Sequence, residues 1–176
     1  MEYMELITKR ESCRKYADRA VEQEKIERCI EAARLAPSAC NGQPWRYFVV
    51  RTPEKLNEVR PMMQGGGMNA FLDGCPVLVV VAETGGCIAE RLGGTVSRVD
   101  FRPFDIGLSI SQFCCEATEQ GLSTCILGWM NREKMKKLLP LDAGESPVMA
   151  IALGYAATED IRVKKRKTTE QIVTYL

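Results

Sequence analysis

The sequence predicts a three-layer fold of the α/β or α+β class, with helices covering both faces of a sheet. Three observations carry this. Segments with a helical apolar stripe alternate along the chain with strand-like segments. The run from Pro76 to Glu83 is apolar almost throughout, as a central strand covered on both faces requires. No internal repeat or linker composition divides the chain, so residues 1–176 read as a single domain.

The elements follow in order. A short helix is expected over about residues 2 to 9, with Met4 and Ile7 on its inner face. A second runs from about Glu22 to Leu35, where Ile26, Cys29, Ile30 and Ala33 fall at i, i+3, i+4 and i+7. Its end at Pro37 opens a small polar loop, P-S-A-C-N-G-Q-P, from which Pro44-Trp45 leads into a strand over Arg46 to Arg51. Thr52-Pro53-Glu54 reads as N-cap, proline at the first helical position and an acid in the first turn; that helix stops by Pro61. Gly65-Gly66-Gly67 reads as mobile loop, without the spacing or preceding strand of a phosphate-binding fingerprint. The stretch from Thr84 to Arg102 has the glycines and scattered charges of a lid or substrate-facing loop. Asp105 is the expected N-cap of a long helix to Gln120, stopped by Gly121 and apolar nearly all round, a helix suited to contact with a second subunit. Ser123–Leu127 is a strand, Asn131 caps a helix through Leu139, and Pro147–Tyr155 is the last core strand.

Composition removes several function classes. At 176 residues, with 45% apolar and 27% charged side chains, the chain can bury a core without staples. A net charge of +1 argues against a general nucleic-acid-binding surface. No apolar run approaches the roughly 20 residues of a membrane helix, and the acidic start M-E-Y-M-E-L is no signal peptide, so a cytoplasmic protein is expected. Eight cysteines without a C-x-x-C spacing, on a chain with no histidine, give zinc frameworks little support; reduced, mostly buried thiols are expected, and no metal. The missing histidine also removes the usual general base and any Ser-His or Cys-His pair.

Three constellations remain. Arg10-Glu11-Ser12-Cys13-Arg14 places two guanidiniums about a hydroxyl, a grip for phosphate or a polyol, although R-x-S-x-R alone is more often a solvated turn. The loop from Pro37 to Pro44 offers the Ser38 hydroxyl and the Asn41 and Gln43 amides to a flat heteroaromatic ring, but no acid or base. Such a set suits a cofactor that carries the chemistry itself. Lys164-Lys165-Arg166-Lys167 alone would be a solvated basic tail.

In this order, the constellations resemble the FMN-dependent nitroreductase family over nearly the whole chain. R-x-S-x-R-x-[FY] is matched by Arg10, Ser12, Arg14 and Tyr16, and E-A-A-R-L-A-P-S-x-x-N-x-Q-P-W by Glu31 to Trp45. An aspartate-led helix ending in G-L-S-T-C-I-L-G matches Asp105 to Gly128, and the closing G-Y with K-K-R-K matches Gly154-Tyr155 and Lys164 to Lys167. Glu11 departs from the pattern, standing where a basic or neutral residue is common.

The resemblance implies an α+β, three-layer α/β/α fold. Its sheet is mixed and mainly antiparallel, and it forms an intertwined homodimer with two FMN sites at the interface. It implies that Arg10, Ser12 and Arg14 hold phosphate, ribityl chain and pyrimidine edge, and that Lys164 and Arg166 complete the phosphate clamp. Pro37, Ser38, Asn41 and Gln43 would come from the other subunit, Ile126, Leu127 and Gly128 would line one side of the ring, and residues 156–176 would wrap the partner. The implied activity is hydride transfer from NADH or NADPH through the flavin to a small acceptor such as a nitroaromatic or quinone. No catalytic side chain is expected, since the flavin N5 does the chemistry. Reductive dehalogenation or flavin processing on the same fold, a flavin-binding sensor without turnover, and a structural dimer without cofactor are the alternatives. Cys40, close to the proposed ring, is either a small filler or a redox-sensing thiol.

Overall fold

The computed structural model describes residues 1–85, 94 and 99–176. Its strands are β1 (Trp45–Val50), β2 (Val77–Glu83), β3 (Ser123–Leu127) and β4 (Ser146–Gly154), in one sheet ordered β1-β2-β4-β3. Every pair of adjacent strands is antiparallel; the isolated bridge between Ser12 and Thr124 adds a parallel contact. The register opposes Val77 to Leu153 and Val80 to Ala150, then shifts between Val81 and Ala82. There Pro147, which has no N–H to give the ladder, enters β4.

The two-residue period of β2 divides the core in two. Val77, Val79 and Val81 pack with Ile26, Cys29 and Ala33 of helix α2 (Gln23–Arg34) and with Ile106, Ile110 and Phe113 of α4 (Arg102–Glu119). Leu78 and Val80 point the other way, onto Leu56 and Val59 of α3 (Pro53–Val59) and Met135 of α5 (Arg132–Leu138). Both faces of β2 are therefore dry, which is why its sequence does not alternate. Burying each such side chain contributes roughly 1.5–3 kcal/mol before entropy is counted.

Local signals act as their chemistry requires. The Thr52 hydroxyl accepts the Lys55 N–H at 3.4 Å, and the Asn131 amide oxygen accepts the Lys134 N–H at 3.1 Å. Gly121, at φ +74°, ends the turn after α4 where a Cβ would be strained.

Three expectations are corrected. Helix α1 (Tyr3–Lys9) buries no residue, and Met4 is 68% exposed. Leu6 and Ile7 are half-buried, so only part of the expected inner face is covered within one chain. Second, α4 begins a turn before Asp105: Pro103 takes an early helical position, where its fixed φ is favoured, so Asp105 lies inside the first turn. Third, Gly65–Gly67 forms a short 3-10 turn under the Trp129 indole. A Cβ on Gly65 would lie 2.1 Å from Trp129 Cη2, so close ring packing explains this glycine. Most of the stretch expected as a lid, residues 86–93 and 95–98, lies outside the described residues.

One polar chain ties these layers together next to the polar loop. The Ser109 hydroxyl donates to the Ala33 carbonyl at 2.8 Å, and so must accept from the Tyr47 hydroxyl at 2.7 Å. The Tyr47 ring stacks on Phe113 with centroids 6.2 Å apart. Burial pushes the Tyr47 hydroxyl up to about 12, against the Ser109 hydrogen bond, which lowers it. The end of α2 is thereby held to β1 and α4, and the loop beginning at Pro37 leaves from a rigid base.

Candidate functional site

The chain leaves α1 at Arg10, whose backbone (φ −56°, ψ 122°) is no longer helical, and turns along β3. The Cys13 N–H donates to the Thr124 carbonyl at 2.8 Å. After β4 the chain returns beside this turn: Tyr16 bridges Ala156, and the Ala157 N–H donates to the Lys15 carbonyl at 2.9 Å. Residues 162–166 then close a cleft of about 350 Å³ against Arg10, Glu11, Ser12 and Arg14.

Its lining holds six cationic side chains, Arg10, Arg14, Arg162, Lys164, Lys165 and Arg166, against the single carboxylate of Glu11. On a chain of net charge +1 this is a strong local concentration, and its chemistry is that of an anion site. The cations already disturb one another: desolvation first, then Arg10 and Arg166, pushes the Lys164 ammonium below its usual range, while Glu11 opposes the shift. Lys164 Nζ donates to the Thr8 carbonyl, and Arg166 to the Lys165 carbonyl at 2.8 Å.

Five of the expected site residues, Arg10, Ser12, Arg14, Lys164 and Arg166, thus share one cleft. Ile126, Leu127 and Gly128 do not line it, but Ile126 is two residues, about 7 Å, along β3 from the Ser12–Thr124 bridge. The Ile126 side chain is 41% exposed, Leu127 is buried and Gly128 is open.

Pro37, Ser38, Asn41 and Gln43 do not reach the cleft in one protomer. Their loop is strained: Cys40, Asn41 and Gln43 have φ of 50°, 53° and 46°, the left-handed region that costs a side chain energy. Internal hydrogen bonds hold it. The Gln43 N–H donates to Ser38 Oγ at 3.0 Å, and Gln43 Nε2 donates to Asn41 Oδ1 at 3.1 Å. The Ser38 hydroxyl still has its hydrogen to give, and the loop presents amide and hydroxyl groups with fixed aim. Cys40 is exposed within it.

Sequence reasoning missed two residues of this arrangement. Asp105 accepts the Ala39 N–H from across the fold, whereas as a sequence signal it read only as a cap. Arg162 stands before the denser basic run and carries no motif of its own, yet it pairs with Glu11 at 3.2 Å. The one signal pointing there was Glu11 itself, an acid among basic residues.

Among the described residues the remaining thiols are poor nucleophiles. Burial pushes Cys29 up to about 12 and Cys75 and Cys114 up to about 11, and raises Cys13, Cys115 and Cys125 as well. Among the described residues no group of histidine, cysteine or carboxylate side chains could hold a metal, and no helix is long and apolar enough to cross a membrane.

A protein of Methanothermobacter thermautotrophicus, provisionally named an NADH dehydrogenase/NAD(P)H nitroreductase, is 37% identical over 161 residues, covering 89% of this chain and 78% of its own. Iodotyrosine deiodinase 1 of Mus musculus is 36% identical over 197 residues, covering 98% of this chain and 68% of its own. The crystal structure of a nitroreductase family protein from Streptococcus pneumoniae superposes with a TM-score of 0.85 at 22% identity, over 99% of this chain and 100% of that one. The family model described as Nitroreductase family matches residues 7–67 and 58–155, both sides of the strained loop and all four strands. The chain belongs to the nitroreductase family.

Proposed function

We propose that this protein is an FMN-dependent oxidoreductase that takes hydride from NADH or NADPH and passes electrons to a small acceptor such as a nitroaromatic or quinone. The observation that carries this reading is the cleft of six cations about one carboxylate, at the place where the family resemblance puts a phosphate. The donor set fits FMN: guanidiniums and an ammonium for the phosphate, and a hydroxyl for the polyol.

When bound, the flavin supplies the redox chemistry, accepting hydride and releasing electrons, so the chain needs no histidine. Arg10, Lys164 and Arg166 hold the phosphate, and Ser12 the ribityl chain. Arg14 would stand at the pyrimidine edge, where its guanidinium favours negative charge on the ring. Backbone groups of Ile126, Leu127 and Gly128 flank the ring, and no metal takes part.

Pro37, Ser38, Asn41 and Gln43 come to the site from a second copy, because one protomer leaves them outside the cleft. The surface suits a homodimer. Phe104 and Leu108 lie one turn apart on α4 at 65% and 47% exposure, an apolar stripe without cover in a single chain. The whole chain acts as one domain; within the tail of residues 156–176, the part beyond the cleft, from Lys167 on, is left to wrap the partner.

The experiment is an absorbance spectrum of the purified protein, followed by anaerobic NADH or NADPH. Flavin bands that bleach support the enzyme. Bands that persist mean a sensor, and a colourless protein that takes up no FMN means a structural role. The deiodinase relative favours a second reading, reductive dehalogenation, for which the reduced protein would release halide from a halogenated phenol faster than it reduces a nitroaromatic.

A further inference from the structure

We propose that Glu11 is a positioning residue: it engages Arg162 of the cleft lining and pins the returning chain, so that Lys164 and Arg166 share one preformed anion clamp with Arg10. The identity of that anion as a flavin phosphate rests on the function proposed above; the pinning does not.

Glu11 interrupts a cluster that is otherwise entirely basic. Its Oε2 accepts both the backbone N–H and the Nε–H of Arg162, each at 3.2 Å, and the same guanidinium donates to the Ser12 carbonyl at 2.5 Å. An exposed ion pair alone contributes little. Here the Glu11 side chain is only 21% exposed, and three hydrogen bonds converge on two adjacent residues. Upstream, the chain is held again by the Ala157 to Lys15 hydrogen bond, so residues 158–161 span two fixed points. Lys164 follows Arg162 by two residues and Arg166 by four. Fixing Arg162 therefore limits where both can stand, and mutually repelling cations need that restraint before the anion arrives.

The sign of one measurement separates this role from bare charge. As a charge, Glu11 repels an anion in the cleft, and its removal would tighten binding. As a positioning residue, its removal weakens binding. Glu11→Ala is expected to weaken FMN by about 5- to 30-fold while changing riboflavin, which lacks the phosphate, by less than about 2-fold. Arg162→Ala strands the carboxylate beside the phosphate and should weaken FMN at least as much. The double variant should be no weaker than Arg162→Ala alone, as expected for two residues acting through one contact.

A second arm needs no flavin. Trypsin should cut Glu11→Ala within residues 164–167 roughly 5- to 20-fold faster than wild type, with thermal midpoints unchanged. Tighter FMN binding by Glu11→Ala, or an unchanged cleavage rate, would overturn the proposal. A wild-type protein that binds no FMN, whose basic segment is nonetheless released by Glu11→Ala, would refute the flavin reading and uphold the pinning.

Discussion

The Ala39 N–H donates to Asp105 Oδ2 at 3.0 Å, joining the strained loop after α2 to the first turn of α4. Asp105 is 5% exposed. Its carboxylate lies in the positive field of a helix start and holds a loop that its own dihedrals do not favour. Asp105→Ala should lower stability by about 1–3 kcal/mol, the range for a buried charge-assisted hydrogen bond. Asp105→Asn, which keeps an acceptor oxygen, should lose less. Urea titration of both variants checks the order; equal losses would mean that the charge rather than the contact matters.

The cationic cleft predicts a phosphate-dependent loss. Arg10→Ala and Arg166→Ala should each weaken FMN binding by roughly 1.5–3 kcal/mol and riboflavin binding much less. Lys167 does not line the cleft, and Lys167→Ala is the control. Flavin fluorescence quenching gives the binding constants, and equal losses for both flavins would place the arginines in folding instead.

The exposed stripe on α4 predicts an obligate homodimer. Light scattering at low micromolar concentration should give about twice the chain mass, and Phe104→Glu should dissociate or unfold the protein. A stable, folded wild-type monomer would contradict both the dimer and the shared site.

Buried thiols predict alkaline lability. The folded-state values of Cys29, Cys75 and Cys114 lie at about 12, 11 and 11, above the ordinary 9.0 that the unfolded chain regains. Between these limits the folded state binds more protons than the unfolded one. Stability is therefore full below about pH 9 and falls as pH rises toward 11, each thiol contributing a slope of up to about 1.4 kcal/mol per pH unit. Urea midpoints at neutral and alkaline pH, compared with a Cys29→Ala variant, test the sign.

A flavin that serves donor and acceptor in turn at one open site predicts ping-pong kinetics, the reduced nicotinamide leaving before the acceptor enters. Double-reciprocal plots should be parallel, and Asn41→Ala should lower turnover or flavin affinity without loss of fold. A Cys40→Ser variant that keeps its flavin and loses all turnover would promote a thiol mechanism instead.

Contiguous sequence determined a good deal of this protein by itself. The apolar stripe of α2, the cap at Thr52 and the stop at Gly121 are local, since each depends on neighbours within a turn or two. The double-sided burial of Val77 to Ala82 was legible for the same reason, as no solvated strand lacks polar positions over that length. Tertiary structure decided what depends on partners distant in the chain. Glu11 meets Arg162 across 151 residues, and Asp105 meets Ala39 across 66. Neither spacing has a period that a sequence reveals. Met4 sits at helical spacing and is still exposed, because periodicity marks a face without naming its cover. Nor could sequence order show that the Arg10 turn and the loop at Ser38 part company within one protomer. That separation follows from β3 and the returning chain after β4 holding the turn, while α2 and α4 hold the loop.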